Sequence, residues 1–103
     1  MSNEPWPIIG TKAALDTYVT SIEALIERQE FERPLMSTRE HHLALSQFDR
    51  LPVNPDTMGM YAQCLYNAVA AGHVDVYREH LPRLQARVET YERAMHDEAR
   101  TRE

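Results

Sequence analysis

A chain of 103 residues with 43% hydrophobic and 26% charged side chains supports one small domain with a modest core. Its net charge of −5, from 11 basic against 16 acidic side chains, argues against direct binding to nucleic acid, which needs a basic face. The single cysteine, Cys64, excludes an internal disulfide. No stretch approaches the ~18 consecutive apolar residues of a membrane span, and the N-terminus has no secretory pattern, so a soluble cytoplasmic protein is expected.

Three glycines and the absence of β-branched runs favour helices over strands. The expected fold is all-α: a helical bundle of three to four helices in one domain, 1–103, with a long C-terminal helix. Residues 1–10, MSNEPWPIIG, carry two prolines around Trp6 and read as an extended arm. Trp6, Ile8 and Ile9 are too apolar for a free tail. They either lie over their own core or reach across to a partner.

The first helix is expected over 12–30, capped by Thr11, with Leu15, Val19, Ile22 and Ile26 on its main face and Tyr18 and Leu25 widening it. Asp16, Glu23 and Glu27 fall towards water, and Arg33-Pro34 closes the element. The second helix opens at Ser37. There Ser37 and Glu40 have the S-x-x-E spacing in which each side chain satisfies a backbone donor at the other's position. It runs through Leu43, Leu45 and Phe48 to about Arg50, stops at Pro52, and places His41, His42 and Gln47 among its polar positions.

The third helix starts at Asn54-Pro55, a good N-cap followed by a proline whose missing N–H has no helical partner. Met58, Ala62, Leu65 and Val69 form its stripe, flanked by Tyr61 and Tyr66, and Gly72 suits the left-handed residue that ends it. Gly59, one turn in, lowers helix propensity by roughly 1 kcal/mol against alanine, a cost that close approach by another backbone would justify.

The last element, 74–100, sets the organisation of the chain. Tyr77, Leu81, Leu84, Val88, Tyr91 and Met95 recur by four and three, the rhythm of a helix face that needs a partner helix. Pro82 either bends this helix or begins a long one after a short turn. Glu79–Arg83 and Glu89–Arg93 are favourable i,i+4 pairs. Three short helices do not cover all of a helix this long. Tyr77, Leu81, Leu84, Val88, Tyr91, Met95 and Trp6 are therefore the expected protein interface, in a homodimer or with another protein, although the same seam would serve as the spine of a four-helix fold.

No catalytic pattern is present: no phosphate loop, no nucleophile elbow, and no paired carboxylates on a known scaffold. An enzyme is not expected, and neither is a cofactor. Cys64 lies mid-helix in an apolar stretch and reads as a small buried hydrophobe; a small enzyme would need a pocket lined by Cys64 or His42. Five histidines raise the question of a metal. They are His41, His42, His73, His80 and His96. His73 and His80 stand seven apart and define the alternative function, a small helical ligand- or metal-binding sensor. No H-x-x-x-H pair occurs, and adjacent residues such as His41 and His42 point about 100° apart on a helix, so no metal ligand is assigned.

The stretch STREHHLALSQFDRLPV, followed by MYAQCLYNAVAAGHVDVYREHL, resembles the small helical antiactivator proteins of pseudomonads, the QslA type. The resemblance covers about Thr11 to Met95. It implies an all-α, dimeric protein that binds a quorum-sensing transcription factor and keeps it from dimerising on DNA. No functional residue is carried over from it. The segment AVAAGHVDVYREHL is also similar to part of the ligand-binding (FCD) domain of GntR-type regulators. This chain is too short for that six-helix domain, and the similarity is read as convergence on a helical turn. The expected function is thus sequestration of another protein, most naturally a transcriptional regulator, with no nucleic acid or membrane partner.

Overall fold

A computed structural model describes residues 8–29, 31 and 36–102, with side chains up to residue 98. Trp6 and the Arg33-Pro34 stop lie outside the described residues. Four α-helices follow one another: α1 (Lys12–Arg28), α2 (Thr38–Ser46), α3 (Pro55–Ala70) and α4 (Val74–Arg102). A short 3-10 turn, Gln47–Arg50, continues α2. No strand occurs among the described residues, and no helix there is long and apolar enough to cross a membrane.

The helix ends follow the local chemistry. Thr11 Oγ1 accepts from the Ala14 N–H, and Ser37 and Glu40 close a reciprocal capping box. Asn54 caps α3 through the Thr57 N–H while Thr57 Oγ1 accepts from the Asn54 N–H, a second box that uses threonine where glutamate is usual. After Ala70 the Gly72 N–H donates to Val69 O and the His73 N–H to Ala68 O, both at 2.8 Å. Gly72 takes a φ of 90°, as this closing motif requires. The chain then turns straight into α4.

Helix α3 is the centre. Met58, Gly59, Tyr61, Ala62, Leu65, Ala68 and Val69 are all buried, and α4, α1 and α2 each pack against it. Gly59 is buried as its cost in propensity suggested. From α1 come Leu15 and Ile22, with Tyr18, Val19, Leu25 and Ile26 half-buried around them. Glu23 faces outward, yet it accepts a hydrogen bond from the Tyr77 hydroxyl at 3.1 Å. The arm's Ile9 is buried, and its N–H donates to Pro55 O at 3.3 Å. Ile9 therefore lies over its own core.

Helix α4 is continuous across Pro82 and needs no break there. Proline leaves the carbonyl one turn earlier, at Arg78, without its helical donor. Both Arg78 and Pro82 are exposed, so that carbonyl lies on the solvent side. The helix is 29 residues long, about 43 Å at 1.5 Å per residue, while the 17 residues of α1 and 16 of α3 span about 25 Å. Its far end therefore overhangs, in a molecule 52 Å long and 28 by 26 Å across.

The expected interface residues differ in exposure along α4. Tyr77, Leu84 and Val88 are wholly buried against the chain's own helices, because α1 and α3 run alongside this part of α4. Val76 and His80 share that buried face, whereas Leu81 and Tyr91 are half-covered. Of the heptad positions, Met95 alone is exposed, at 45%. The seam is an internal spine over most of its length and leaves only its last turns uncovered.

The two halves of the seam differ measurably. Leu84→Ala is expected to lower unfolding stability by about 2–5 kcal/mol through lost burial and a residual cavity, whereas Met95→Ala should stay within about 0.5 kcal/mol of wild type. Urea denaturation followed by circular dichroism reads both.

Candidate functional site

The groups with chemical capacity gather where α2 lies across α4. Residues 41 and 42 leave α2 about 100° apart, and each meets a different histidine. The His42 and His80 rings lie 5.1 Å apart between centroids, with His42 Nδ1 and His80 Nε2 separated by 3.0 Å. The His41 and His73 rings lie 4.8 Å apart, tilted by 55°. His73 meets His41 and Thr38, whereas His80 meets His42 and Tyr61. Among the described residues no three His, Cys, Asp or Glu side chains converge to hold a metal ion.

The His42–His80 pair belongs to a longer chain of contacts. The Tyr61 hydroxyl lies 3.1 Å from His80 Nδ1, and His42 Nε2 lies 3.4 Å from Glu79 Oε2. The network assigns its own hydrogens. The buried Tyr61 O–H donates to His80 Nδ1, so neutral His80 carries its hydrogen on Nε2 and donates to His42 Nδ1. One hydrogen fills each of these two gaps, and the His42 ring beyond them faces the exposed Glu79 carboxylate.

His73 is fixed from both sides. Its Nε2–H donates to Met36 O at 2.8 Å, and its Nδ1 accepts from the Thr38 hydroxyl at 2.8 Å. His41 is buried, and its Nδ1 has no hydrogen-bond partner among the described residues. Burial, and next the facing His73, holds the His41 pKa below the usual imidazole range. Burial, followed by His42 and Arg83, does the same for His80. Burial, with the charge of Asp49 behind it, pushes the Tyr61 hydroxyl up to about 12, so it remains a donor at neutral pH.

The 3-10 turn is fastened beside this network. Asp49 pairs with Arg83 at 3.5 Å and Arg87 at 3.4 Å, Arg87 also donates to Phe48 O at 2.6 Å, and its guanidinium lies 6.0 Å over the Tyr61 ring. Arg83 is therefore not paired with Glu79 as the helical spacing suggested; both have been drawn to tertiary partners. Arg93–Glu89, at 2.9 Å, is present as expected. Cys64 is half-buried, and burial pushes its thiol pKa up, the opposite of an activated nucleophile.

A second feature lies at the overhanging end of α4. Gly10 packs against Pro55 and Tyr91: a β-carbon built on Gly10 would be 3.3 Å from Pro55 Cγ and 3.8 Å from Tyr91 Cε1. The Lys12 N–H donates to Glu92 Oε1 nearby. Each of the three segments carries an exposed apolar side chain close by in sequence. Ile8 is two residues before Gly10, Val53 is two residues before Pro55, and Met95 is one turn beyond Tyr91.

The burial of His80 was readable, because Val76, His80, Leu84 and Val88 recur every fourth residue. The pairing of His41 and His42 with separate histidines was not, since it depends on where α2 crosses α4. No family model, curated protein or solved structure gives a significant match to this chain.

Tyr61→Phe removes the one donor facing His80 Nδ1 and leaves a buried acceptor unpaired. The expected cost at pH 8 is about 1–3 kcal/mol, measured by urea denaturation against wild type.

Proposed function

We propose that this is a small regulatory protein that works by binding and sequestering another protein, with the apolar junction at the overhanging end of α4 as its contact surface. The observation that carries the reading is the exposed end of α4, a helix that outruns its neighbours, with Met95 exposed one turn beyond the Gly10–Pro55–Tyr91 contact. Beyond Glu92 the described side chains of α4, from residue 93 to 98, are exposed, so this end offers a helical arm for a partner to pack against. Tyr91 and Met95 are of the residue types enriched in interface cores.

The resemblance to pseudomonad antiactivators supplies the class of partner, a transcription factor of the quorum-sensing type. The acidic balance of the chain agrees with contact to the regulator itself and not to its DNA. Self-association would use the same surface, giving a homodimer that exchanges with the regulator complex. The sensor alternative would use His73 and His80, whose rings each bond a different residue of α2.

The test is recovery of the tagged protein from its source cells, with light scattering for its own oligomeric state. Wild type is expected to bring down a DNA-binding regulator in stoichiometric amount. Val53→Asp with Met95→Asp should lose it at unchanged helicity. A wild-type protein that returns alone and monomeric would overturn the reading.

A further inference from the structure

Helix α2 is attached to the molecule by few apolar groups. Of its nine residues only His41 and Leu45 are buried, and the following turn adds Phe48, whose ring lies 5.1 Å from that of Tyr61. Leu43, by contrast, is 57% exposed. The polar links of α2 proper across to α4 and the turn before it all involve an imidazole: His42 to His80, His42 to Glu79, and Thr38 to His73. Imidazole is the side chain whose ordinary proton affinity falls between pH 5 and 8.

We propose that α2 is a proton-released latch: protonation of the two interhelical histidine pairs, His42–His80 and His41–His73, undocks α2 from α3 and α4 and uncovers the face around Tyr61.

An added proton is costly to place. The His42–His80 and His80–Tyr61 gaps each already hold one hydrogen. A second proton on His42 Nδ1 is accommodated only if His80 gives up its Nε2 hydrogen and carries one on Nδ1 instead. A proton on His80 Nδ1 would force the Tyr61 hydroxyl to turn its own hydrogen away. In the other pair, a proton on His41 Nδ1 creates a buried N–H with no acceptor among the described residues, 4.8 Å between centroids from His73.

The surrounding charges do not reverse this. Glu40 on α2 and Glu79 on α4 favour the protonated rings, but both are exposed and act through solvent. Arg83 on α4 opposes protonation of His80. Asp49 on the 3-10 turn is already engaged by Arg83 and Arg87, and α3 contributes the neutral Tyr61 hydroxyl. Burial, the largest cause, keeps His41 and His80 neutral in the docked state. The released state thus binds protons more tightly than the docked one. The latch is fully closed above the ordinary imidazole value of about 6.5 and opens as the pH falls below it. This device is independent of the partner surface around Tyr91, about three turns further along α4.

The test is a titration of the isotope-labelled full chain from pH 8 to 5 at constant ionic strength. Imidazole resonances and amide exchange are followed by magnetic resonance, and exchange is corrected for its intrinsic pH dependence. Opening of 38–50 is expected to rise about tenfold per pH unit for each histidine that takes up a proton. The amides of 55–70 should stay protected, and His41 and His80 should titrate below the ordinary imidazole value of about 6.5. Unchanged opening of 38–50 down to pH 5, or simultaneous opening of every helix, would overturn the proposal. The wild-type titration decides the matter by itself. His42→Gln, which can still both donate and accept, is expected to reduce the pH slope of that opening, and His96→Gln to leave it unchanged; equal slopes for wild type and His42→Gln would count against the latch.

Discussion

A helix whose apolar arc is wide cannot be covered by a single neighbour, and α3 is such a helix. Its buried positions, from Met58 to Val69, span about half of its circumference at 100° per residue. Helix α4 covers one part, α1 a second, and α2 with its 3-10 turn a third. The short turn through Gly72 brings α4 back along α3 immediately, so the largest contact in the molecule forms between chain neighbours. The other helices are arranged by what that pair leaves uncovered. Ile9 adds a further cover, with its backbone hydrogen-bonded at the start of α3.

The three covers differ in kind. Helices α1 and α4 bring leucine, isoleucine, valine and tyrosine, and their polar contacts, such as Tyr77 to Glu23 and Tyr18 to Gln63, lie at the edge. The α2 cover brings histidines into the boundary itself. Buried polar groups have value only when each is satisfied, and a network of them is sensitive to the loss of one member. The His42–His80 series meets that condition with one hydrogen per gap, while His41 Nδ1 does not. The same region is therefore specific in geometry and conditional on protonation, unlike the apolar contacts of α1.

The two features with functional content stand apart. The histidine boundary lies between α2 and α4, and the Gly10–Pro55–Tyr91 contact lies further along α4, with Met95 exposed one turn beyond it. The overhang follows from a simple mismatch of length, since α4 has 29 residues against 17 and 16 in the helices beside it. We propose that end of α4, exposed from residue 93 to 98, as the surface for another protein.

What the sequence by itself determined was local. Thr11, Ser37 with Glu40, Asn54 with Pro55, and Gly72 marked helix ends, because capping involves groups within a few residues of one another. The stripes of α1, α3 and α4 were equally legible from their spacing. Which of those stripes are covered, and by what, was decided by the tertiary structure alone. The heptad rhythm of α4 is the same whether its partner is another chain or the chain's own α1 and α3, and folding assigned Tyr77, Leu84 and Val88 to the latter. Likewise, the spacing of His73 and His80 on one strip says nothing of α2. Only its crossing of α4 brings His41 and His42 against them, since side chains 32 and 38 residues apart meet through packing and not through periodicity.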